Sequence, residues 1–457
     1  MKKSNPTIES LLEIIERLEA RIRELEQRLN QNSSNSSKPP SSDGLTKPSR
    51  TSSLRENGKN KSGGQPGHKG ETLKQTEKPD IIKTHVLTTC PDCQHSLLPS
   101  PLLGIVKRQV FDIPAPKIEI TEHQAEVKYC ACCNKPVTAE FPAGVRAPVQ
   151  YGELIRSWSV YYQYQHFIPE DRLQQLFTDL YGVQLATATL TGYNRIAFDT
   201  LAPFEASILS HVKIATVKNM DETGFRVAGK TQWLHVASTK TATYYHVSPR
   251  RKSLLDGLSG TVVHDHWKSY YNLHGVEHAL CNQHHLRELK SIMEHEKEPW
   301  ATAMTRILRV ALRCRHFHGQ NAIPAARIIR LTKIYDKIIK HGLTFHEGQT
   351  PLPCKGKRGR QPRRTGHNLL LRLLHYKQDV LRFLHDPAVP FTNNDAERDL
   401  RMMKCKQKIS GGFRSTQGAE QFARIRGFIS TVQKQGLNVL NSIQSVFSGS
   451  MLIPAGC

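Results

Sequence analysis

Acid is scarce in this chain. Its 457 residues carry 64 Lys and Arg against 40 Asp and Glu, a formal charge of +24. That balance argues against a cationic partner and for a polyanion, nucleic acid above all. Long apolar runs are also missing. No stretch approaches the ~18 residues of a membrane span, and Met1, Lys2 and Lys3 lead into a charged helix instead of a signal-peptide core. With no membrane partner, the chain is expected in the cytoplasm, on the nucleoid when bound to DNA. In that reducing compartment its ten cysteines read as metal ligands before disulfides. The apolar fraction is a modest 38%, yet the length suffices for roughly two to four domains with at least one large core.

Five segments follow from pattern and composition, and together they predict a multidomain α+β protein. In residues 1–30, Ile8, Ile15, Ile22 and Leu29 share one heptad position, and Leu11, Leu18 and Leu25 share the other. Ile at a with Leu at d favours a two-stranded parallel coiled coil, in which Arg21 at g would meet Glu26 at e. The alternative is a single amphipathic helix packed on the body. Residues 31–80, rich in Asn, Ser, Pro, Gly and Lys, cannot bury enough apolar surface to fold and read as a disordered basic linker.

Residues 81–146 contain the pairs Cys90/Cys93 and Cys130/Cys133. Two such pairs can hold one tetrahedral Zn²⁺ in a zinc ribbon, here with strands expected at Val106–Ile113 and Ile118–Val127. Cys132 rivals Cys130, and His95 is a substitute ligand. Four thiolates leave no open position, so this zinc is structural. Residues 147–210 read as helical, with a turn at Tyr181–Val183 and a Thr-capped helix from Thr187 to Phe198. That is a helix-turn-helix-like pattern, in which Thr189, Tyr193, Asn194 and Arg195 would face a DNA groove or its phosphates.

From residue 211 to about 450 the period changes to that of strands. Ile214–Val227, Gln232–Ser238 and Thr243–Val247 predict an antiparallel meander. A short helix at Ser253–Leu258, strands at Thr261–His264 and Val276–Leu280, and a helix from Gln283 to Glu294 complete the order of a ribonuclease-H-like fold. Asp221 lies on its first strand and Asp265 at the tip of its fourth. Glu397 lies in the first turn of a later helix for which Thr392, Asn393 and Asn394 offer an N-cap. The residues between Asp265 and Glu397 are too many for a loop, so a helical insertion is expected at about 295–390, with a basic stretch at 355–364. Carboxylates in this setting suit Mg²⁺, a hard ion that prefers oxygen. Two such ions can activate an attacking oxygen and stabilise a departing one in phosphodiester chemistry.

Neighbouring residues read differently. Glu222 must point away from Asp221 and reads as structural. His264 and His266 suit groove or core roles. Cys281 and His284 form a C-x-x-H pair with only two visible ligands, which favours a structural or DNA-positioning role over a second zinc. Arg398, Arg401, Lys404, Lys406, Lys408 and Arg414 form a basic run suited to phosphate contact.

Taken together, the coiled coil, the Gln65-containing linker, the paired cysteines, the helical region, Met220–Phe225, His264–Tyr270, Cys281–His284 and Thr392–Arg401 resemble the insertion-sequence-sixty-six family of bacterial DDE transposases. The resemblance implies that Asp221, Asp265 and Glu397 hold two Mg²⁺, with Mn²⁺ as a substitute. It also implies nicking at element ends and attack of the freed 3′-hydroxyl on target DNA. The implied partners are double-stranded DNA, a second copy of the chain or a higher oligomer, and companion proteins of the same element. The rival readings are a ribonuclease-H-like nuclease without strand transfer and a non-catalytic DNA-binding regulator.

Overall fold

The computed structural model describes residues 8–29, 72–352 and 361–449. Residues 31–71 of the linker expected at 31–80, and most of the basic stretch at 355–364, therefore lie outside the described residues. The chain divides into two units, Pro48–Ile120 and the remainder. No described helix is long and apolar enough to cross a membrane.

In the smaller unit, residues 72–120 form no regular strand, and its one strand-like contact is a bridge between Thr89 and Ser96. The strand expected at Val106–Ile113 is absent. Its segment is held instead by side chains, with Gln109 receiving the Thr76 N–H at 2.8 Å and donating to the Thr76 carbonyl at 2.7 Å. Pro114 and Pro116 follow at once and remove the donors a ladder would need. Ile118–Val127 is likewise irregular until its last residue.

The larger unit begins with helix α1 (Ile8–Leu29), along which Ile8, Leu11, Ile15, Leu18, Ile22, Leu25 and Leu29 are all exposed. A short hairpin follows, β1 (Val127–Cys130) paired antiparallel with β2 (Lys135–Thr138). Then come α2 (Glu153–Tyr164), α3 (Glu170–Tyr181), α4 (Thr187–Thr200) and α5 (Ala202–Ile214). Gly182, at φ 66°, ends α3 in the left-handed conformation that glycine adopts without a Cβ clash. The N-cap of α4 is Ala186 with no side-chain bond, so the threonine cap expected there is not used.

Five strands form the central sheet: β3 (Val217–Val227), β4 (Lys230–Ser238), β5 (Thr243–Ser248), β6 (Thr261–His264) and β7 (Glu277–Leu280), in the order β5-β4-β3-β6-β7. The first three pair antiparallel, whereas β6 runs parallel to both β3 and β7. The helix expected at Ser253–Leu258 does not form. The chain passes from the end of β5 at Ser248 to the start of β6 at Thr261 through an irregular connection with glycines at φ 71° (Gly257) and 74° (Gly260). At Gly260 a Cβ would lie 2.6 Å from the Thr216 carbonyl oxygen, so only glycine fits. Between β6 and β7 the chain makes only a 3₁₀ turn, Lys268–Asn272.

The later residues are helical: α6 (Asn282–His295), α7 (Pro299–His318), α8 (Ala325–Glu347), α9 (Thr365–His375), α10 (Lys377–His385), α11 (Asn394–Ser410), α12 (Thr416–Lys434) and α13 (Val439–Ser448). The segment at about 295–390, expected to be helical, contains α7 to α10. Two apolar clusters result. One joins β3–β5 to helices α2–α5 and α11–α13, and the other joins β6 and β7 to α6–α10. Val262 belongs to the first and Val263 to the second, as the alternation of side chains across a strand requires. A buried polar knot secures α11 and α12 to the sheet. Lys434 meets Asp399 at 2.9 Å, and the same Asp399 oxygen accepts from Ser238 and Thr243, both at 2.9 Å.

Candidate active site

The parallel pairing of β3 and β6 aligns Asn219 with Val263. Two residues further along each chain come Asp221, still within β3, and Asp265, the residue just past the end of β6. Each uses one carboxylate oxygen locally: Asp221 Oδ1 accepts the Glu222 N–H and Asp265 Oδ1 the Trp267 N–H, both at 2.8 Å. The third acid arrives on α11 by a device that sequence reasoning did not foresee. Asn393 occupies the N-cap position but makes no capping bond. Its side chain donates to the Met220 carbonyl at 2.8 Å and accepts from the Asn219 amide at 2.8 Å. The helix start is therefore clamped to the strand residues just before Asp221, and Glu397 follows one turn later, its N–H on the Asn393 carbonyl at 3.1 Å.

The electrostatics agree with this convergence. The Asp221 carboxyl is held well above the ordinary aspartate range, first by burial, then by the charges of Glu222 and Asp265, with a smaller push from Glu397; the Glu222 N–H acts the other way. Three nearby acids acting on a fourth in a chain of net positive charge make a site that a divalent cation would relieve. Glu397 Oε1 is buried without a hydrogen-bond partner, and hard carboxylate oxygens are the donors Mg²⁺ prefers. The donor set fits such an ion.

Glu222 is not available for that task. One oxygen accepts two bonds from Arg251, at 2.9 and 2.6 Å, and the other accepts from Tyr270 at 2.5 Å. The Arg251 guanidinium itself lies over the rings of Trp233 and Trp267, at 5.1 and 4.2 Å. Its structural role agrees with the expectation. His264 is a core residue: it is fully buried, meets His278 at 3.0 Å, and burial lowers its pKa to about 3. His266 is half-buried, edge-on to Tyr376, and burial lowers its pKa to about 4.

A model of the Transposase IS66 family matches residues 148–421, more than half of the chain, and that span contains every residue of this site. The chain belongs to the Transposase IS66 family. A second model, the zinc-finger binding domain of transposase IS66, matches residues 88–134, and a family of unknown function matches residues 3–74. An uncharacterized protein of Sinorhizobium fredii, y4jO, is 38% identical over 79 residues, which is 16% of this chain and 25% of that protein's length. The chain thus spans only a quarter of that relative.

The zinc-finger match supports a structural zinc in this IS66-family chain, and the cysteines are locally shaped for one. Cys90 and Cys130 each begin a tight turn in which the N–H groups two and three residues on lower the thiol pKa. Each pair is followed at once by a left-handed residue, Gln94 at φ 59° and Asn134 at φ 50°. The Cys133 N–H approaches Cys130 Sγ at 3.5 Å, so Cys130 rather than its rival Cys132 has the environment of a knuckle thiolate. His95 contributes its backbone carbonyl to the turn, accepting from the Cys90 N–H at 2.9 Å.

Of the residues expected to face DNA, two are withdrawn from the surface. Tyr193 is 8% exposed, packed in the core beside Leu190, and burial raises its pKa to about 12. Asn194 is also buried, donating to Gln163 at 2.7 Å. Both follow from the helix period, which turns these positions inward with Leu190 and Ala197. Lys404 donates to the Gly224 carbonyl at 2.9 Å and ties α11 to β3. Lys406 is partly buried and reaches Ser410 at 3.2 Å. Arg195, Arg398, Arg401, Lys408 and Arg414 are exposed, and Thr189 is half-buried.

Proposed function

We propose that this chain is a DNA transposase in which Asp221, Asp265 and Glu397 hold two Mg²⁺, or Mn²⁺ in their place. What supports the reading is the parallel pairing of β3 and β6, which ends two residues before Asp221 and Asp265, together with the Asn393 clamp that ties the start of the Glu397 helix to β3. We read the sheet order, three antiparallel strands followed by two parallel ones, as that of a ribonuclease-H-like core.

When bound, such ions acidify an attacking oxygen and stabilise the departing one. The chain's own residues supply the rest. The three carboxylates would hold the ions, and Glu222, paired with Arg251, braces the strand without competing for them. Arg398 and Arg401, one and four residues beyond Glu397, face solvent and are suited to orient phosphates. Water attacks the phosphorus at an element end and the P–O3′ bond breaks. The freed 3′-hydroxyl then attacks a target phosphorus, and the target's own P–O3′ bond breaks. No protein nucleophile takes part. The zinc ribbon of Cys90, Cys93, Cys130 and Cys133 and the α3–α4 pair bind DNA, and α1 joins two copies so that two ends are held together. Companion proteins of the same element would join this assembly.

Asp221→Asn is expected to abolish Mg²⁺-dependent cleavage of an end-containing duplex while leaving its binding nearly intact. Cleavage by the variant at the wild-type rate would sink the reading. A wild-type protein that binds and never cuts would instead be a regulator. One that cuts but never joins a pre-cut 3′-end to plasmid would be a nuclease.

A further inference from the structure

The C-x-x-H pair lacked a third ligand in the sequence, and the fold supplies one. Cys281 is the N-cap residue of α6 and His284 lies in its first turn, with the His284 N–H on the Cys281 carbonyl at 3.2 Å. Glu397 lies in the first turn of α11. The Cys281 sulfur, a ring nitrogen of His284 and a carboxylate oxygen of Glu397 all lie within 4.8 Å of one another. Among the described residues no other group of three or more such side chains converges in this way.

Three further observations point to a bound ion. His284 Nδ1 and Glu397 Oε1 are both buried without a hydrogen-bond partner. Buried polar atoms are rarely left so, and a bound ion is one of the standard reasons. Cys281 is 1% exposed, and its sulfur accepts the Asn393 backbone N–H at 3.1 Å. It is the thiolate that binds metal. The same Asn393 carries the clamp to β3, so the sulfur is held in register with the acids.

We propose that Cys281, His284 and Glu397 bind a borderline-soft divalent cation, Zn²⁺ foremost, at a site that shares Glu397 with the proposed Mg²⁺ site but adds softer sulfur and nitrogen donors. A thiolate, an imidazole and a carboxylate form a zinc donor set, whereas Mg²⁺ takes oxygen alone. Zinc–ligand bonds of about 2.0–2.3 Å in a tetrahedron set ligands roughly 3.3–3.8 Å apart, so the three side chains need close in only slightly. The fourth position is left to water. Bound there, zinc fixes the orientation of Glu397. The assignment rests on this geometry alone and does not need the transposase reading.

The test is a zinc count on the full-length protein, purified in zinc and desalted, by mass spectrometry of the metal. The wild type is expected to hold one zinc ion more than His284→Ala, while His284→Cys, which restores a ligand, recovers it. Cobalt loading of the same proteins should give sulfur-to-metal charge-transfer absorption that persists when Cys90 and Cys93 are both changed to Ser and disappears when Cys281→Ser is added. Equal zinc in wild type and His284→Ala would overturn the proposal, as would absorption lost entirely with Cys90 and Cys93. Neither result bears on the Asp221→Asn cleavage assay, so the two readings stand or fall separately.

Discussion

Asn393 shows how one side chain can place a functional group without touching the reacting atoms. Asparagine ahead of a helix ordinarily caps it, but here the amide spans from α11 to the backbone of β3 and to Asn219. Replacing it with alanine leaves the Met220 carbonyl and the Asn219 amide buried and unpaired, at about 1–3 kcal/mol each. Asn393→Ala is therefore expected to lower unfolding stability in urea by about 2–4 kcal/mol. Mg²⁺-dependent cleavage should fall further than the loss of folded protein explains, because Glu397 loses its register. A midpoint within about 0.5 kcal/mol of wild type would mean the clamp is idle. At this scale the sequence was legible where one periodicity sufficed. Strand alternation pointed to a structural Glu222, and that residue is indeed taken up by Arg251 and Tyr270. It was not legible where two distant segments meet, as with Asn393 and Met220, or Cys281 and Glu397. Tyr193 and Lys404 were misplaced for a related reason: polar and basic residues in helices read as surface until the packing partner is known.

At the scale of elements, the long strands and helices were legible because their apolar periods run for many residues. Thr261–His264 was found at its bounds because an unbroken buried run ends at a polar turn. Ser253–Leu258 failed because its apolar pair Leu254 and Leu255 reaches the core from an irregular chain, packed against it without helical turns. Helix α1 was legible as a helix, and its apolar stripe is exposed along its whole length. Helices in proteins draw most of their stability from packing an amphipathic face. If α1 pairs with its copy, Leu18→Lys puts a charge into the a/d seam at its centre. The dimer dissociation constant measured by sedimentation should then rise at least about tenfold, equivalent to about 1.4 kcal/mol. An unchanged constant would remove α1 from the dimer contact.

At the scale of the whole molecule, the scarcity of acid acquires a location. The charges of Asp265 and Glu397 both act on Asp221, and beyond Glu397 α11 carries exposed Arg398, Arg401 and Lys408, with Arg414 just after it. A field of that shape draws a phosphate backbone along the helix towards the acids, and a cation held by the acids would remove the local repulsion. Binding by such contacts releases counterions, so the logarithm of affinity falls with the logarithm of salt by about 0.9 per phosphate neutralised on duplex DNA. Changing Arg398, Arg401, Lys408 and Arg414 to Gln together should therefore flatten the slope for end-containing duplex by up to about 3.6. Lys404→Gln provides the contrast. Its ammonium is spent on the Gly224 carbonyl, so it should lower the unfolding midpoint while leaving the salt slope within about 0.5 of wild type. Titration of DNA binding from low to high salt decides between them. If Lys404→Gln flattens the slope as much as a surface arginine does, the basic run acts as one diffuse charge. If only the exposed four do so, the path of the DNA past Glu397 is set by which cations the fold leaves free.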